Sequence, residues 1–100
     1  MNLKPSKIKT YIGFAIKSNK IKYGVDDIIK SNKTSLILFS DLLAESSCKK
    51  LQNFAEKTNS KVIKVSSNEF LELFDENYNI KAVAILDNNL ANAINKEMTK

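Results

Sequence analysis

The sequence predicts an α/β protein, a three-layer α/β/α sandwich around a small mixed sheet of about four strands. Three observations predict it. Apolar runs of strand length recur at 35–40, 61–65 and 81–86. Segments with helical apolar spacing lie before, between and after them. The chain has 100 residues, 43% apolar and 27% charged, with 2 Gly and 1 Pro, a balance that suits one folded domain over 1–100 and excludes disorder.

Each element has its own local reason. Pro5 and Ser6 mark a helix start, and Ile8, Tyr11, Ile12, Ala15 and Ile16 follow at i, i+3, i+4, i+7 and i+8. Tyr11 and Phe14 are expected in the core. The helix stops at Ser18-Asn19-Lys20. Residues 21–23 form a short extended piece that Gly24 breaks, opening a second helix over 25–32 with Val25, Ile28 and Ile29 inward. The run 35–40 reads as a central strand covered on both faces. Ser46-Ser47 is expected to cap a third helix reaching about Asn59, with Cys48, Leu51 and Ala55 on one face. After the strand at 61–65, Ser66 and Glu69 form a capping box for a helix carrying Phe70, Leu71, Leu73 and Phe74. A polar loop at 75–79 holds Tyr78. The strand at 81–86 leads to a last helix, capped by Asp87 or Asn88, with Leu90, Ala91, Ile94 and Met98 as its stripe. No internal repeat and no linker-like stretch stands out.

Composition removes several functions. No apolar run approaches the roughly 20 residues of a membrane-spanning helix. The opening residues lack an apolar h-region, so no export signal is expected, and the single Cys fits a reducing cytoplasm. His is absent, which removes the commonest general base and metal ligand. Only Gly13 and Gly24 are available, so neither glycine-rich phosphate motif exists. Cys48, on an apolar helix face and without a His partner, reads as a small packing residue. Asp26 and Asp27 are neighbours on a helix and point about 100° apart, which does not suit a carboxylate dyad. A non-catalytic protein without cofactor or metal is therefore expected.

Charge points toward binding. All 16 cationic residues are Lys. Residues 1–40 hold 8 Lys and 2 acids, whereas 41–100 hold 8 Lys and 9 acids. A one-ended positive field attracts polyanions, and the same lysines equally suit ordinary solvated faces of a soluble protein. Lys20, Lys22, Lys30 and Lys33 flank the Gly24 turn in sequence. Backbone N–H groups of Gly24 and Val25 at a helix opening, with those lysines, suit phosphates. Asp26 and Asp27 admit two readings. They accept hydrogen bonds from base edges, or they complement the helix dipole while Asp26 pairs with Lys30 at i, i+4.

The order of segments then resembles a known family. Ile12-Gly13-Phe14-Ala15, Lys20-Ile21-Lys22-Tyr23-Gly24, Asp26-Asp27-Ile28-Ile29-Lys30 and Leu36-Ile37-Leu38-Phe39-Ser40-Asp41 are similar to the ribosomal protein L-seven-Ae / L-thirty-e family, in its bacterial YlxQ-type branch. The resemblance continues through Ser46 to Leu51, Val62 to Val65 and Ala82 to Asp87, covering about Ile8 to Ile94. It implies recognition of kink-turn RNA, probing a bent internal loop with sheared G·A pairs. The family motif is glycine, any residue, Asn, Glu, then Lys three residues after the Glu. Gly24 and Lys30 keep it; Asp26 and Asp27 replace the Asn and Glu. In the second RNA-facing loop of the family the glycine positions correspond to Phe70-Leu71 and Asp75, and Tyr78, Asn79, Ile80 and Lys81 remain as contact candidates. The usual glycines are absent, and Asp75-Glu76 adds negative charge there. The resemblance implies a cytoplasmic RNA-binding protein of the translation apparatus. It would act on structured RNA, in particular rRNA in the ribosome, with no membrane and a monomer as the expected state. The alternative is a protein-binding adaptor on the same fold.

Overall fold

The computed structural model describes residues 4–74 and 80–98, with side chains from residue 7 onward. Five helices and four strands alternate: α1 (Lys4–Lys17), β1 (Ile21–Tyr23), α2 (Val25–Lys30), β2 (Leu36–Ser40), α3 (Glu45–Thr58), β3 (Lys61–Val65), α4 (Ser67–Leu73), β4 (Ala82–Ile85) and α5 (Asn88–Met98). The expected α/β sandwich with a mixed four-stranded sheet is what the chain adopts.

The strand order is β1-β4-β2-β3. β4 lies antiparallel between β1 and β2, and β3 pairs parallel to β2. Strands β1, β2 and β3 therefore start at one end of the sheet and finish at the other.

Alternation along each strand sorts side chains onto two faces. Ile21, Leu36, Leu38, Val83 and Ile85 pack with Ile8, Ile12 and Ala15 of α1, Phe70 and Leu73 of α4, and Ala91 and Ile94 of α5. Ile37, Phe39, Ala82 and Ala84 face the other way, toward Ile28 of α2 and Leu51, Phe54 and Ala55 of α3. The alanines of β4 are small, so the short α2 lies close against that strand.

Several expectations are corrected. Phe14 is 53% exposed and Ile16 49% exposed, so neither belongs to the core. The buried stripe of α1 is the narrower Ile8, Ile12 and Ala15, and Ile16 sits about 100° round from Ala15. Helix α3 starts before Ser46-Ser47. The Cys48 N–H already donates to the Ala44 carbonyl at 2.9 Å, and Ala44 occupies the cap without a side-chain bond. Ser66 does cap α4: its hydroxyl accepts from the Glu69 N–H at 3.3 Å and donates to the Glu69 carboxylate at 3.1 Å. Asp87, rather than Asn88, caps α5 by accepting from the Leu90 N–H at 3.0 Å. Among the described residues, no helix is long and apolar enough to cross a membrane.

Candidate nucleic-acid interface

Gly24 is the hinge of the expected site. Its φ of 85° and ψ of 151° lie in a region that residues with a Cβ avoid, and it turns the chain from β1 directly into α2. The same turn uses up a donor. The Gly24 N–H donates to the Ala82 carbonyl at 2.9 Å, extending the β1–β4 ladder by one bond. That group is therefore not offered to a phosphate, which corrects the expectation for it. The N–H groups of Val25, Asp26 and Asp27 occupy the first turn, which lacks intrahelical acceptors.

Strand order brings Ile80 and Lys81 to this opening, because β4 begins where β1 finishes. The Lys81 carbonyl accepts from the Ser40 N–H at 2.9 Å. Lys81 is half-buried. Ile80 packs against the α1, α4 and α5 core, so its side chain is largely committed to the protein itself rather than to an extruded base. Val25 packs on the opposite core. Tyr78 and Asn79 lie outside the described residues, as do Asp75 and Glu76.

The lysines do not ring this opening. Lys20 precedes β1 and Lys33 precedes β2, so both stand at the end where those strands start. Lys22 is exposed in the middle of β1, opposite Ala84. Lys30 closes α2; at 1.5 Å per residue it lies roughly 4.5 Å along the helix from Asp27 and shares its outward side. Around the opening stand Lys81 and four carboxylates: Asp26 and Asp27 exposed on α2, Asp41 after β2 and Glu45 at the start of α3. Asp41 is engaged, accepting from the Ser67 N–H at 3.1 Å. Asp26, Asp27 and Lys30 form no ion pair with one another. The expected Asp26–Lys30 pair is thus not made, and both carboxylates point to solvent.

Sequence reasoning passed over a short repeat. Lys-Ser-Asn-Lys occurs at 17–20 and again at 30–33, and Lys-Thr-Asn-Ser-Lys at 57–61. Each copy ends a helix and leads to a strand. Asn19, Asn32 and Asn59 all hold positive φ, at 60°, 64° and 60°. Asn tolerates this left-handed geometry better than other residues with a Cβ. The hydroxyl before each Asn bonds back into its helix: Ser18 to the Phe14 carbonyl at 2.8 Å, Ser31 to Ile28 at 2.6 Å and Thr58 to Phe54 at 3.0 Å. In α1 and α3 a further bond spans five residues, Lys20 N–H to Ala15 and Ser60 N–H to Ala55, both at 2.8 Å.

Comparison with known proteins adds the fold and nothing finer. No family model and no curated protein matches the chain. Among solved structures it is similar to a protein of unknown function from Bacillus halodurans, with a TM-score of 0.79 over 94% of this chain and 98% of that one. Sequence identity is 13%, so the likeness speaks for architecture alone.

Proposed function

We propose that this chain is a small non-catalytic RNA-binding protein that recognises structured, kink-turn-like RNA in the cytoplasm, with rRNA as the natural target. The observation that supports the reading is the cluster of exposed lysines at the end where β1, β2 and β3 start, with few acids beside it. Lysines gather where β1, β2 and β3 start, and solvent-facing carboxylates flank the opening of α2. Phosphates are held by the first group, with Lys20, Lys30 and Lys33 among them. Asp26 and Asp27 accept from guanine imino and amino groups, a role open to them because neither is paired with Lys30. The resemblance of the segment order to that of the L-seven-Ae / L-thirty-e family supports the same reading.

A mobility-shift titration with a kink-turn RNA and a G·A-disrupted control tests it. The intact kink-turn is expected to bind at lower protein concentration, and Asp27→Ala is expected to erase that preference while leaving general affinity in place. Equal affinity for the two RNAs overturns the reading. The adaptor alternative draws on Leu42, exposed between Asp41 and Glu45. It gains if the protein binds neither RNA.

A further inference from the structure

We propose that the end of the sheet where β1, β2 and β3 start is a nucleic-acid backbone clamp, built from the three Lys-Ser/Thr-Asn caps and separate from the α2 opening. This deepens the RNA-binding reading by naming the phosphodiester backbone as ligand and this end as the surface. The α2 opening is left to base contacts.

The topology gathers the groups. Helices α1, α2 and α3 all finish at this end, and each carries a Lys in its last turn: Lys17, Lys30 and Lys57. The segments that follow add Lys20, Lys33 and Lys61, so all six ammonium groups are exposed on connections entering neighbouring elements of one sheet. Backbone bonds lock these connections together across the sheet end. The Leu86 N–H donates to the Lys20 carbonyl at 2.8 Å, the Ser35 N–H to Ile85 at 2.9 Å and the Lys61 N–H to Ser35 at 3.2 Å. The Ser60 hydroxyl donates to the Thr34 carbonyl at 2.7 Å and lies 2.5 Å from the Thr34 hydroxyl.

Two features separate this end from an ordinary solvated face. The helix dipole accounts for a cation in each last turn, yet Lys20, Lys33 and Lys61 lie beyond the helices, where the dipole does not require them. Nor are the charges neutralised: among the described residues none of the six forms an ion pair. Asp87 is turned into the start of α5 through its bond to the Leu90 N–H, leaving Glu56 as the exposed acid nearby on α3. With neighbouring strands about 4.8 Å apart, the four-stranded edge spans roughly 15 Å, enough to face a few consecutive phosphates. The recurring cap presents lysines from a backbone fixed by hydrogen bonds, so binding orders the lysine side chains and the nucleic acid but not the connections. A single-stranded backbone laid along this edge meets cations from three connections, and contacts of lysine to phosphate carry no sequence information.

The test compares two triple variants of equal charge change, Lys20→Gln/Lys33→Gln/Lys61→Gln and Lys49→Gln/Lys50→Gln/Lys64→Gln, each checked for wild-type circular dichroism and melting. The probe is an oligouridine, titrated from low to high salt, alongside the kink-turn RNA and its G·A-disrupted control. The first variant is expected to weaken oligouridine binding at least ~10-fold at low salt and to reduce the slope of log affinity against log salt by about 2. The second is expected to retain near wild-type affinity. Equal loss in both variants, or wild-type protein that fails to bind oligouridine, overturns the clamp. The kink-turn preference is scored separately, so its absence removes the structured-RNA reading while sequence-independent binding at this end stands.

Discussion

Where β1, β2 and β3 begin, each incoming helix closes on an Asn in the left-handed region and a Lys follows within two residues. Where the same strands finish, the connections are unlike one another: a single Gly after β1, a turn holding Asp41 after β2 and a Ser66 cap after β3. The first end repeats one solution three times and accumulates positive charge with it. The second spends its carboxylates on helix starts, as Asp41 and Glu69 do through hydrogen bonds. The first end is thus net positive, whereas the second mixes Asp26, Asp27, Asp41 and Glu45 with Lys49, Lys50, Lys64 and Lys81. Residues 1–40 contain Lys17, Lys20, Lys30 and Lys33 of one end and Lys7, Lys9, Asp26 and Asp27 of the other, so a sum over that half merges two surfaces.

The largest expected effect belongs to the irregular end. Gly24→Ala is expected to lower unfolding free energy by about 3 kcal/mol, the upper part of the range for strained backbone. An added Cβ meets nothing within 4 Å, so the loss comes from the φ of +85° alone. Thermal unfolding reads it as a drop of roughly 12–24 °C for a domain of this size. An unchanged Tm means the turn relaxes without penalty, and the contrast between a Gly-specified end and an Asn-specified end disappears.

At the repeated end, Ser60→Ala is expected to cost about 2 kcal/mol. Thr34 is buried, and the substitution removes the hydroxyl that bonds both its carbonyl and its side chain. Denaturant titration measures the change, and a shift below about 0.5 kcal/mol would mean that water replaces the lost partner and this end is less closed than described. A smaller effect follows at the middle cap. Asn32→Ala is expected to cost about 1 kcal/mol because Ala is penalised at φ 64°, whereas Asn32→Gly matches or exceeds the wild type. If Ala and Gly behave alike there, left-handed geometry is not what selects Asn at the caps.

The fold was legible because its signals are local. The strand at 36–40 reads as covered on both faces from Leu36-Ile37-Leu38-Phe39 alone, and the Ser66–Glu69 cap announces α4. Phe14 and Ile16 are apolar yet exposed, because the sheet covers only the Ile8, Ile12 and Ala15 stripe of α1. The candidate site depended on information no window contains. Lysines flanking Gly24 in sequence are drawn away from it by the length of β1 and α2. Lys81 arrives beside it only because β4 inserts between β1 and β2. The recurrence of Lys-Ser-Asn-Lys was present as a string. Its meaning required the common direction of β1, β2 and β3, which sets all three copies at one end.

The smallest effect bears most closely on what the α2 carboxylates are for. Asp26 and Lys30 stand four residues apart on an exposed helix face, the spacing at which a pair typically contributes about 0.3–0.5 kcal/mol. They form no ion pair here, so a double-mutant cycle with Asp26→Ala and Lys30→Ala is expected to return a coupling energy of about zero. Asp26→Ala alone is still expected to cost a few tenths of a kcal/mol at low salt, through the helix dipole. A coupling near 0.5 kcal/mol would assign the carboxylate to Lys30 and withdraw it from any ligand. A zero coupling beside a lost preference for G·A-containing RNA in Asp26→Ala would separate the two roles that the sequence left side by side.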